Sequence, residues 1–305
     1  MNIKKTAAIL TVGLCSFPFA GCAGGTSAEQ ASTEQASAGQ ETTDTESCDD
    51  LTYISFGSGD KAFVIFPGLS VKPVVANQAA LEEAFTAFTE DYTVYVFEGT
   101  DELSDSVTIR GLAEESAVYM QQLGIQNAVV YGVSMGGMEA QYLAIDHPDL
   151  VSGIILASTA CRIDKHAEDV MNEWLSAAEE RDEEKLTESM INAIYSPDTV
   201  SQYGDMLRAA SSDITKAEYR KLITEIQAML TFNCRDELGG ITCPTFVLGS
   251  EGDAIFTADA METIADQIGE NAELYLYGNE YGHAVYDEAP DFIGRIKEWT
   301  DQIKT

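Results

Sequence analysis

Residues 127–144 read NAVVYGVSMGGMEAQYLA. The run up to Tyr131 is apolar and valine-rich, the pattern of a buried strand. From Gly136 the residues suit a helix, which Pro148 stops. Between the two lies Ser134, with Gly132, Gly136 and Gly137 around it. Glycine lets a strand turn sharply into a helix without side-chain clashes. Such a corner lifts the serine hydroxyl clear of the sheet, and the helix N-terminus behind it favours negative charge. The stretch does not match G-x-G-x-x-G, and no G-K-[ST] follows, so dinucleotide and P-loop readings are weak.

The rest of the chain repeats the alternation of strand and helix. LTYISF (51–56) and KAFVIF (61–66) are β-rich runs joined by the turn GSGD. Helical spacing follows over 74–88, strand character over 92–98, and helical spacing again over 109–125. VSGIILAS (151–158) is apolar almost throughout, as in a sheet covered on both faces. Strand, helix, strand and helix return over 245–303. The pattern predicts an α/β fold, a mostly parallel central sheet flanked by helices, built from residues 51–160 and 237–305. Residues 161–236 interrupt it with no strand pattern and form an all-helical insertion. Its apolar stripes are Ala167, Val170, Met171, Trp174, Leu175 and Ala178; then Leu186, Met190, Ile191 and Ile194; then Tyr219, Leu222, Ile223, Ile226 and Leu230.

The charge is unusual. Lys and Arg total 17 against 51 Asp and Glu, a formal net charge of -34. That field repels phosphate backbones and argues against nucleic-acid partners. The N-terminus reads as a targeting segment over 1–21: a basic MNIKK, then an apolar run too short to span a bilayer comfortably. Residues 22–50 hold no Lys, Arg or aromatic residue and predict a disordered tether. After the run comes FAGC, ending on Cys22. These positions resemble the lipobox of bacterial lipoproteins, which implies lipidation at Cys22 and an extracytoplasmic, membrane-anchored protein. A plain secretion signal is the alternative. Cys48, Cys161, Cys234 and Cys243 leave every pairing open, and no Cys/His cluster suggests zinc.

A serine nucleophile needs a base, and the base an orienting acid. Of three histidines, His147 ends the helix after Ser134 and His166 opens an insertion helix. His283 follows the last strand on a glycine-containing loop, where open α/β sheets build their sites. The loop one strand earlier, in TFVLGSEGDAIF, offers Glu251 and Asp253, of which Asp253 is favoured.

G-V-S-M-G after a strand, with Ser134, Asp253 and His283 in that order, resembles the α/β-hydrolase fold family. The resemblance spans roughly residues 51–303. It implies a serine hydrolase acting on an ester, thioester or lactone of a small acyl substrate, with the insertion as a cap. It implies an oxyanion hole from the backbone amides of Met135 and of Leu69 in the loop PGLS, where Pro67-Gly68 replaces the common His-Gly. No metal or organic cofactor is expected, and oligomeric state stays open. An aminopeptidase-type amide hydrolase and a non-catalytic binding protein on the same scaffold are the rival readings.

Overall fold

Runs of consecutive apolar residues need cover on both faces, and the sheet provides it. A computed structural model describes residues 47–48, 51–100 and 103–303, so the targeting segment and Cys22 lie outside the described residues. Eight strands form one sheet: β1 (Ser47–Cys48), β2 (Leu51–Gly57), β3 (Lys61–Phe66), β4 (Tyr92–Gly99), β5 (Ala128–Val133), β6 (Val151–Ala157), β7 (Thr245–Ser250) and β8 (Ala272–Tyr277). Their order is β1-β2-β4-β3-β5-β6-β7-β8. From β4 to β8 every neighbouring pair is parallel, while β2 runs antiparallel to β4. Every residue of β5 and β7 is buried.

The helices are α1 (Gln78–Ala84), α2 (Ile109–Gln122), α3 (Met135–Asp146), α4 (Lys165–Glu180), α5 (Glu183–Ile194), α6 (Pro197–Ala210), α7 (Lys216–Leu230), α8 (Ala258–Ile268), α9 (Val285–Glu288) and α10 (Phe292–Thr300). Those outside the insertion flank the sheet, as the alternation predicts.

Two local readings differ from the structure. The turn after β2 does not close a hairpin, because β4 lies between β2 and β3. Its polar groups face the chain entering β4: Ser58 N donates to Thr89 O at 3.0 Å and Thr93 Oγ1 to Gly59 O at 2.8 Å. A Cβ on Gly59 would stand 1.9 Å from Asp91 C, so only glycine admits this crossing. The helical stretch 74–88 is also broken, into 3-10 turns on either side of α1. At its start the amides of Val74 and Val75 donate to the Glu98 carboxylate, at 2.7 and 3.1 Å.

Between β6 and β7 stand four helices, α4–α7. Asp164, Asp182, Ser196 and Thr215 cap them, Thr215 in a capping box with Glu218. Each residue of the three apolar stripes is buried or packed against the core. The segment narrows at its base, where Arg162 bridges Asn233 and Cys234 N donates to Cys161 O at 2.8 Å. Cys161, Cys234 and Cys243 are free thiols.

Candidate active site

β5 ends at Val133 and α3 begins at Met135, so Ser134 alone makes the corner, at φ 51 and ψ -114. A non-glycine residue at positive φ is strained, and such strain is held by its surroundings. Here Ser134 N donates to Ala157 O at 2.9 Å, and Thr159 Oγ1 donates to Ser134 O at 2.7 Å. The three glycines each answer a separate contact. A Cβ on Gly132 would lie 2.4 Å from Gly136 O, one on Gly136 2.1 Å from Phe66 O, and one on Gly137 2.7 Å from Thr159 Cβ.

His283 and Asp253 come from the loops after β8 and β7 and meet beneath the surface. His283 Nδ1 lies 2.8 Å from Asp253 Oδ2, and the two residues are 2 % and 6 % exposed. The other carboxylate oxygen accepts the amides of Ile255 and Phe256, at 2.8 and 2.9 Å. Asp253 thus faces donors on both carboxylate oxygens, with Nδ1 of the imidazole turned to it and Nε2 on the far side of the ring. Glu251 is exposed, and its amide serves Tyr277 O. The other histidines stand elsewhere: His147 pairs with Glu114 at 2.8 Å, and exposed His166 reaches Ala254 O at 2.9 Å.

Ser134 and His283 line one cavity with Gly68 and Leu69. Its remaining walls are apolar: Trp174, Met190, Ile194 and Met229 come from the insertion, Ile255 and Tyr286 from the core. Met135 is the first residue of α3, and its amide is among the helix N-terminal donors that lack an intrahelical acceptor. Gly68 lies so close that a Cβ there would touch Ser134 Cβ at 3.3 Å, which brings the Pro67–Leu69 loop against the corner.

A second cavity adjoins through Gly68 and holds Met135, Glu98, Glu115, Glu139, Lys221 and Glu225. Lys221 Nζ stands 3.2 Å from Glu98 and 3.7 Å from Glu225. Burial pushes the carboxyls of Glu139 and Glu225 up to about 7. Among the described residues, no group of three or more His, Cys, Asp or Glu is placed to hold a metal ion.

Sequence reasoning missed the groups that hold these loops. Thr159 under the corner is one, and Ser250 and Glu288 at the His283 loop are others. All act on backbone atoms, for which a sequence carries no periodic signal.

The family model described as alpha/beta hydrolase fold matches residues 91–290. The 3-oxoadipate enol-lactonase 2 of Acinetobacter baylyi is 22% identical over 226 residues, covering 72% of this chain and 81% of the relative. An alpha/beta hydrolase enzyme from a Medee basin deep-sea metagenome library superposes with TM-score 0.75 at 21% identity, over 87% of this chain and 98% of that one. The enol-lactonase from Burkholderia xenovorans LB400 gives TM-score 0.69 at 19% identity, over 83% and 96%.

Proposed function

The chain belongs to the alpha/beta hydrolase fold family, and on that premise we propose a serine hydrolase that cleaves ester-type bonds of a small acyl substrate. The observation that carries the reading is the buried Asp253–His283 pair on the cavity that Ser134 lines. In the reaction Ser134 Oγ attacks the carbonyl carbon and His283 Nε2 takes its proton. The amides of Leu69 and Met135 hold the oxyanion. Asp253 keeps the imidazole in the right tautomer and stabilises the cation. The imidazolium then gives its proton to the leaving oxygen, the carbon–oxygen bond breaks, and an acyl-Ser134 ester remains. A water, deprotonated by the same imidazole, then attacks the acyl carbon; the bond from that carbon to Ser134 Oγ breaks, Oγ regains the proton from the imidazolium, and the acid leaves.

The kinship with 3-oxoadipate enol-lactonase 2 supports an ester or lactone as substrate. The insertion acts as a cap in this reading, since apolar side chains of α4, α5 and α7 wall the cavity beside Ser134. Cys22 carries the lipid anchor, and the domain works outside the cytoplasmic membrane. One observation favours an aminoacyl substrate instead: the acidic cavity next to the oxyanion loop would attract a free amino group.

A serine-directed fluorophosphonate probe tests the assignment. It is expected to label the wild type and not Ser134→Ala, and hydrolysis should fall on the order of 10⁶-fold in the variant. Labelling that persists in Ser134→Ala removes Ser134 from the mechanism, and no labelling of wild type favours a binding protein. A panel of acyl esters and aminoacyl amides separates the two chemistries.

A further inference from the structure

His283 sits between two backbone amides that both bond outside its loop. Gly282 N donates to Glu288 Oε2 at 2.6 Å, and Ala284 N donates to Ile194 O at 2.8 Å. The second Glu288 oxygen accepts from Ser196 N at 2.8 Å. One carboxylate thus ties the residue before the imidazole to the corner between α5 and α6. The fit there is tight: a Cβ on Gly282 would come within 2.7 Å of Ser196 N and 2.8 Å of Ile194 O. From below, Ser250 Oγ lies 2.9 and 2.8 Å from the carbonyls of Tyr281 and Gly282. Ile194 itself walls the Ser134 cavity.

We infer that Glu288 is a positioning residue that couples the helical insertion to His283. The inference rests on the reading of His283 as the base. A charged acceptor makes stronger hydrogen bonds than a neutral one, so the carboxylate is the firmest link between corner and loop. With it in place, seating of residues 194–196 and alignment of the imidazole are one event. Without it, Gly282 and Ser196 lose their shared acceptor and the loop can settle away from Ser134. Displacement of a catalytic group by about 1 Å costs on the order of 100-fold in rate.

The test compares Glu288→Ala and Glu288→Gln with wild type, all as the full chain. Active sites are titrated by end-point labelling with the fluorophosphonate probe, and kcat and KM on p-nitrophenyl acetate are expressed per titrated site. Glu288→Ala is expected to lose about 100-fold in kcat per site with KM within about twofold. Glu288→Gln, which keeps a single neutral acceptor, should lose less. If Glu288→Ala does not fold, the Gln variant carries the same contrast. A merely structural role would lower the titre or the melting temperature and leave kcat per site unchanged, which overturns the inference. A rise in KM at unchanged kcat also overturns it. Failure of the probe to label wild-type Ser134 would strike the underlying reading instead, so the two failures are distinguishable.

Discussion

Gly136→Ala tests the corner and the oxyanion loop together. Gly136 sits in the first turn of α3 without positive φ, so its backbone suits alanine, which gains about 1 kcal/mol in helix propensity over glycine. The added methyl has no room. It would stand 2.1 Å from Phe66 O and 2.5 Å from Pro67 O. Ordinary contact needs these carbonyls to retreat by about 1 Å, and they are backbone atoms at the end of β3. Overpacking of this kind costs about 1–3 kcal/mol, so net stability should fall by about 2 kcal/mol or less. The larger loss is in rate. Gly68 and Leu69 follow directly, and a shift of about 1 Å in the Leu69 amide forfeits much of one proposed oxyanion donor, worth about 10²- to 10³-fold in kcat. Gly137→Ala is the contrasting case, because its methyl meets the Thr159 side chain that holds Ser134 O and so loads the corner and not the Pro67–Leu69 loop. The assay is kcat per titrated site on an activated ester, with urea unfolding in parallel. Gly136→Ala that is folded and within twofold of wild-type kcat would refute the reasoning.

Four further outcomes are expected. Asp253→Asn should cost roughly 10⁴-fold in kcat, since the amide favours the wrong imidazole tautomer, and Glu251→Gln should change little; the reverse pattern in steady-state rates would move the acid to Glu251. Glu225 has its carboxyl raised from 4.5 to about 7 by burial, so the folded state holds the extra proton between those values. Its stabilising contribution is full below about pH 4.5 and lost as pH rises through about 7, on the order of 3 kcal/mol. Glu225→Gln does not titrate and should gain on wild type across that window; equal differences in urea melts at about pH 5 and about pH 8 would refute this. Trp174→Ala should alter KM for long acyl esters more than for acetate, and an equal loss of kcat on both would place catalytic groups in the insertion. Cys22→Ala should release the protein from the membrane fraction, because stable anchoring needs the acyl chains on that cysteine; a soluble wild type would count against the anchor.

The corner at Ser134 was legible because its requirements are local. Three glycines and a serine within six positions encode contacts that the structure meets one by one. The insertion stripes were legible for a similar reason, since helical periodicity tracks burial along a single element. α6 was not, because it buries only Gly204 and Leu207 and so has no stripe; its signal is the cap Ser196-Pro197. The placement of β4 between β2 and β3 was equally hidden. Strand order depends on pairing between distant segments, and the turn GSGD looks the same whether it closes a hairpin or crosses the end of another strand. Among candidate acids, Asp253 and Glu251 differ in sequence only by position, while in the structure the amides of Ile255 and Phe256 single out Asp253.

The acids and bases of the site stand on loops of the sheet, yet their surroundings are shared with the insertion. The insertion reaches the core at two ends. At one end Ile194 O and Ser196 N hold the His283 loop, the latter through Glu288. At the other, Lys72 pairs with Glu218 at 3.0 Å and Lys221 with Glu98 at 3.2 Å, which fastens α7 to the Pro67–Val75 loop and to the end of β4. In the proposed mechanism Ser134 needs both ends in register, the imidazole on one side and the Leu69 amide on the other. On the proposed reading the helices that wall the cavity beside Ser134 also set the spacing of the catalytic groups, and replacing α5–α7 wholesale would disturb the rate unless Glu288, Lys72 and Glu98 kept their partners.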